Sequence, residues 1–166
     1  MRIAVHCLSF ISAALLVAGC NKPAAEDGRI FGLKMGDPVS ALADASPLNE
    51  PPLFNFIFQP KEKDPAFRDF AALVAPAAGV CAVRARGILP TPDSLHDILE
   101  PLRAKYGKET YDTAIQGYYW YPSENNPSSP LQVVSLNMFG KDVSLTYTFR
   151  NIASCRRELE PKSPPQ

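Results

Sequence analysis

The chain has 166 residues, and its 17 Lys and Arg are matched by 17 Asp and Glu. That neutral balance lacks the basic footprint of a nucleic-acid binder, so nucleic acid is not an expected partner. The length suits one domain with a real core, which is the default expectation.

The N-terminus carries the clearest signal. Arg2 is the only charged residue before Lys22. Residues 7–18 form an apolar stretch of about a dozen residues, short of the roughly 20 needed to cross a bilayer. Ala18 and Gly19 place small side chains directly before Cys20, the pattern of a cleavable export signal. Val17-Ala18-Gly19-Cys20 resembles the lipobox of bacterial lipoproteins. The resemblance covers the first 20 residues and implies that residues 1–19 are removed as a signal peptide. It further implies that Cys20 receives a diacylglyceryl thioether and that the new amino terminus is acylated, for example with palmitate. Two or three acyl chains hold a protein on a membrane far more firmly than one, at about 0.8 kcal/mol per buried methylene. Asn21 stands where an Asp marks inner-membrane retention in lipoproteins of Gram-negative bacteria, so the resemblance implies the outer membrane, facing the periplasm. The competing reading is a secretory signal cleaved elsewhere, with Cys20 an ordinary thiol. Residues 20–28 are polar and small, and read as a lipidated flexible tether reaching under about 30 Å.

A single α+β domain is expected over residues 29–159. Residues 30–35 read as a short strand and 36–42 as a short helix, with Asp37 as its cap and Pro38 at its first position. Strands are expected at 53–58, 67–74 and 80–88, each bounded by Pro or Gly. Thr91-Pro92-Asp93-Ser94 opens a helix on which Leu95, Ile98, Leu99, Leu102 and Tyr106 share one face. Pro101 should kink it, and Gly107 should end it. Strands follow at 118–121, 131–139 and 143–149, the last two joined by a hairpin turn at 140–142. Val143, Leu145, Tyr147 and Phe149 alternate with Ser144, Thr146, Thr148 and Arg150, which predicts one buried face and one wet face. Residues 123–130 read as a polar surface loop, and 160–166 as a disordered, polyproline-like tail.

The order predicts an antiparallel sheet with two short-to-medium helices packed on one face and two loosely similar halves. Gly32-Leu33-Lys34-Met35-Gly36 before a short helix resembles the opening of the small outer-membrane lipoprotein domains of the BamE and SmpA type. The helix-plus-sheet halves are similar in element order to beta-lactamase inhibitory proteins. Both likenesses bear on fold alone.

After export and lipidation, Cys81 and Cys155 are the cysteines left, and both lie in strand-like runs. An oxidising compartment predicts a Cys81–Cys155 disulfide closing a loop of about 75 residues, with about 4 kcal/mol of chain-entropy stabilisation as an upper figure. The alternative is two buried free thiols.

Catalytic patterns are missing from the sequence. His96 is the one histidine after Cys20 and lies off the apolar helix face beside Asp93 and Glu100, which reads as a solvated surface rather than a triad. No metal-ligand motif, phosphate loop or nucleophile elbow occurs. No cofactor is expected beyond the diacylglycerol and acyl chains on Cys20, and no metal. Arg84 and Arg86 alternate with Val83 and Ala85 and read as a wet sheet face, with an anion site as the alternative.

The densest cluster is Tyr118-Tyr119-Trp120-Tyr121. In a strand Tyr118 and Trp120 point one way and Tyr119 and Tyr121 the other, so one pair can be core and the other exposed. Tyr119, Trp120 and Tyr121 are therefore the candidate protein-binding residues, since exposed aromatics dominate docking hot spots; the alternative is that both pairs are covered. The expected function is a non-enzymatic, lipid-anchored envelope protein that binds another envelope protein as an assembly accessory, inhibitor or immunity factor. A cell-envelope enzyme acting on peptidoglycan or glycan through acidic residues is the alternative.

Overall fold

The strands come in two kinds, and the difference sets the architecture. Residues 70–75 and 79–83 are continuously apolar and buried, as expected of strands covered on both faces, whereas 142–149 alternate between buried and half-exposed, as expected of strands covered on one. The computed structural model describes residues 28–48, 53–61, 63–91 and 93–160. The expected signal peptide at 1–19, Cys20, the expected tether up to residue 27, Pro92 and the expected tail at 161–166 lie outside the described residues.

Among the described residues the chain forms β1 (Ser46–Pro47), β2 (Phe56–Ile57), β3 (Asp69–Ala75), β4 (Gly79–Ile88), α1 (Ser94–Tyr106), β5 (Thr110–Asp112), β6 (Gly117–Trp120), α2 (Pro122–Asn125), β7 (Leu131–Phe139), β8 (Asp142–Phe149) and α3 (Ile152–Leu159), preceded by a 3-10 turn at Val39–Ala41. The strands make one sheet in the order β1-β2-β3-β4-β8-β7-β6-β5, every neighbouring pair antiparallel. The fold is α+β, as the element order predicts. Each half is a helical segment followed by four strands, and the halves meet through the antiparallel pair β4 and β8.

The face that carries α1 holds the main core. Phe70, Ala72, Val83, Ala85, Trp120, Val134, Leu136, Leu145 and Tyr147 pack there with Ile98, Leu99 and Leu102 of α1 and with Leu42, next to the 3-10 turn. Each such Leu or Ile stabilises the fold by about 1.5–3 kcal/mol. Gly107, at φ +84°, ends α1 and donates its N–H to the Arg103 carbonyl at 2.8 Å. Trp120 locks that end to the sheet by donating Nε1–H to the Gly107 carbonyl at 2.9 Å.

Several expectations are corrected. Residues 30–33 form a tight hairpin closed by the Ile30–Leu33 bridge rather than a strand. Asp37 accepts the Lys34 N–H at 2.8 Å, so it caps that turn and not the helical one. The Asp93 side chain makes no capping bond to α1. The expectation at Pro101 is not among these corrections: α1 runs through it as one element, and because Pro101 is exposed the intrahelical bond it forfeits lies on the solvent side, where water can replace it. Cys155 is on a helix, α3, which packs on the sheet face opposite α1, against Leu73, Ala75, Cys81 and Ala82.

Candidate protein-docking face

Cross-strand pairing decides which side chains share the face away from α1. Arg84 stands opposite Thr146, which stands opposite Ser135, which stands opposite Tyr119, which stands opposite Thr110. One row along, Asp69, Arg86, Ser144, Asn137 and Gly117 are aligned in the same way. With strands about 4.8 Å apart, the three intervals from β4 to β6 make a shelf about 14 Å wide. Its floor is small and hydroxylated, Ser135, Ser144, Thr146 and Thr148, all half-buried. Arginines flank it on one side and Tyr119 on the other.

Tyr119 lies down on this shelf rather than standing out. A methyl group at Gly117 would collide with the Tyr119 ring and the Asn137 amide, so glycine leaves the space the ring occupies. The Tyr119 hydroxyl donates to Asn137 Oδ1 at 3.0 Å. Burial, then the charges of Asp112 and Tyr121, push its pKa above the ordinary phenol value. On the other flank the Arg84 guanidinium sits over the Phe54 ring, 4.3 Å from its centroid, a cation–π contact that steadies a half-buried arginine; Arg86 is exposed.

The two ends of the shelf differ. One end is covered by α3, held by the Cys81–Cys155 disulfide with Cα atoms 6.3 Å apart. Asn151 Nδ2 adds hydrogen bonds to the Ala78 and Val80 carbonyls at 2.9 and 3.1 Å. Among the described residues nothing covers the opposite end, where exposed apolar side chains stand among charged ones. Phe139, in register with Asp142 and through it with Ile88, is 87% exposed, and Ile88 and Ile115 are exposed beside it. There Arg68, Arg86, Ile115, Met138 and Phe139 line a groove of about 560 Å³.

The aromatic cluster divides as the alternation predicts. Tyr118 and Trp120 face the α1 side; Tyr118 packs against Tyr111 with ring centroids 4.7 Å apart and the rings tilted by 43°. Trp120 is 1% exposed and belongs to the core, which corrects its assignment as a docking residue. Tyr119 is on the open face, and Tyr121, just past the strand end, is 39% exposed. The polar 123–130 segment is partly the short helix α2, exposed from Glu124 to Ser128. Phe139, Ile88 and Ile115 went unnoticed in the sequence, although Phe139 continues the outward register of Ser135 and Asn137 and breaks its polarity.

Other chemistry-bearing groups are scattered. His96 Nδ1 lies 3.8 Å from Glu100 on the exposed side of α1. Arg103 joins Glu100 at 2.9 Å and Glu109 through two bonds from Nε at 3.1 and 3.0 Å. The Glu109 carboxyl, 12% exposed, is held below its ordinary pKa by that guanidinium. Among the described residues, no group of three or more His, Cys, Asp or Glu is placed to hold a metal ion, and no helix is long and apolar enough to cross a membrane. Comparison with protein-family models, with characterised proteins and with solved structures finds no match.

Proposed function

We propose that this chain is a lipid-anchored cell-envelope protein that binds another protein, without catalysis, on the open face of its sheet. The observation that carries the reading is the uncovered shelf with a rigid Tyr119 on one flank and the 87% exposed Phe139 at one end. A monomeric surface has no folding reason to keep a large aromatic in water, and exposed apolar residues beside a polar surround mark docking sites. The preformed floor supports tight binding, because half-buried Ser and Thr on paired strands lose little further freedom when covered. The lipobox resemblance at residues 17–20 supplies the anchor and the compartment. An assembly accessory, an inhibitor and an immunity factor all fit a face of this type.

The test is comparative capture from envelope extract. Thr146→Arg, which plants a long cation in the middle of the shelf, and Phe139→Ala are compared with His96→Ala on the opposite side of the molecule. The proposal expects the first two to lose the partner and the third to keep it, with unchanged melting temperatures. Equal recovery by all three would remove the open face as the site. For the anchor, mass spectrometry of the membrane-fraction protein is expected to find Cys20 as a diacylated N-terminal residue, and Cys20→Ser is expected to release the protein. An unmodified Cys20 in that fraction would refute it.

A further inference from the structure

The Phe139 end of the open face carries charge as well as apolar surface. In the last row of the sheet Ile88, Asp142 and Phe139 stand side by side on β4, β8 and β7. Arg86 stands one pleat back on β4, opposite Ser144. It is therefore the diagonal neighbour of Asp142 on the same face, about 7–8 Å away. Arg68 and Asp69, farther along the groove, approach each other to 4.0 Å. Arg86 and Asp142 are both exposed, and among the described residues neither forms an ion pair or a side-chain hydrogen bond.

This pattern is complementary to itself. A two-fold axis lying in a contact plane exchanges two positions set symmetrically about it, so an axis midway between Arg86 and Asp142 brings each over the other's counterpart on a second copy. The same operation can be followed for Phe139 from the sheet spacings, about 3.4 Å per residue along a strand and about 4.8 Å between strands. It carries Phe139 onto the floor between β4 and β8, about 5 Å from the positions of Arg86 and Ser144. Both residues line the groove of about 560 Å³, and the methylene stem of an exposed arginine is suited to pack under a ring. An aromatic that is 87% exposed in the single chain is thereby covered. A patch offering one cation and one anion suits a second copy better than a partner of a single charge sign.

We propose that the chain forms a two-fold dimer through this end, with two reciprocal Arg86–Asp142 pairs and each Phe139 in the groove of the other copy. The inference rests on the reading of the open face as a docking surface, and names a second copy as what covers its Phe139 end when no envelope partner is bound. A contact limited to one end of the face belongs to the small interfaces, below about 1,200 Å², so the dimer should dissociate at about 10–100 µM.

The test is sedimentation equilibrium of the purified protein in density-matched detergent, over about 1–500 µM. A reversible monomer–dimer equilibrium is expected. Arg86→Asp and Asp142→Arg each change two contacts by symmetry, and each alone should weaken the dimer at least about tenfold. An equimolar mixture of the two variants should restore it, because both cross-copy pairs are then again of opposite sign. Phe139→Asp should abolish it, and all three substitutions fall at exposed positions where the fold is expected to keep its melting temperature. A chain that stays monomeric throughout, a dimer undiminished by Phe139→Asp, or a mixture no tighter than either charge variant alone would overturn the proposal. A monomeric chain whose envelope partner is still lost by Thr146→Arg and Phe139→Ala overturns the dimer alone. A dimer restored by mixing, with capture from envelope extract unchanged by those two substitutions, supports the dimer and removes the envelope partner from this face.

Discussion

Helix α3 depends on its disulfide more than on its packing, which makes Cys81→Ala/Cys155→Ala the most telling perturbation of the fold. Among the described residues of α3, Cys155 is the one buried side chain. An eight-residue helix has little stability of its own, since isolated helices below about 12–15 residues are marginal in water. The bridge spans a sequence separation of 74. Constraining a loop of that length lowers the entropy of the unfolded chain by an amount worth about 4 kcal/mol at 25 °C. For a domain of this size the loss corresponds to a fall in melting temperature of about 15 °C. Removing both sulfurs avoids leaving one free thiol buried. Urea denaturation of the oxidised protein and the double variant measures the stability difference. Hydrogen exchange at α3 amides measures the local effect, with the 152–159 amides expected to lose protection well before those of β4 and β8. A loss under about 1 kcal/mol together with fully protected α3 amides would refute the reasoning, because Asn151 and the Glu158 contact to the Ala77 N–H would then hold the helix unaided.

The remaining predictions concern single side chains. Trp120→Ala is expected to destabilise the fold by about 3–5 kcal/mol in urea titrations, as for a buried aromatic, whereas exposed Tyr121→Ala should stay within about 0.5 kcal/mol. Gly117→Ala should displace the Tyr119 ring and break its bond to Asn137; a spectrophotometric pH titration is expected to show the Tyr119 phenol moving down toward its ordinary pKa. Glu109 has a folded pKa below its unfolded value, so its contribution to stability is present above the unfolded pKa and lost as pH falls through the folded one. Glu109→Gln should therefore lower the melting temperature at neutral pH and flatten the acid limb of the stability profile.

Local pattern predicted the long elements well because in them the local and tertiary preferences agree. The Leu95-Ile98-Leu99-Leu102 stripe becomes the buried side of α1, and the 143–149 alternation becomes the one-sided strand β8. The misses fall where tertiary contacts override short signals. Residues 150–159 have a strongly polar, basic composition, and the contact that seats this helix on the sheet is a bond from Cys155 to Cys81, 74 residues away. Residues 53–58 are aromatic enough for a long strand, yet β2 is confined to Phe56–Ile57, flanked by single backbone bonds from the Asn55 and Phe58 N–H groups to β3, and beyond Asn55 its side chain rather than the backbone takes the Val74 N–H and C=O at 2.9 and 2.7 Å. Of the open face, the Ser and Thr floor and the outward Tyr119 follow from period-two alternation. The apolar end does not, since Ile88, Ile115 and Phe139 belong to three separate segments that meet only through the β4-β8-β7-β6 order.

The manner in which the sheet ends bears on how a partner can reach it. Its edge strands are β1, two residues long with Pro47 on it, and β5, three residues long and carrying Asp112. Short edges with proline and charge resist pairing with another chain's backbone, so strand addition is disfavoured at both sides of the molecule. The broad face between them has no such protection: α3 covers only one end, and Phe139 remains in water at the other. A fold that guards its edges and leaves its face open is suited to recognition by side-chain contact across strands. A partner docking there as proposed should then contribute a loop or a convex surface filling a shelf about 14 Å wide, rather than an added strand.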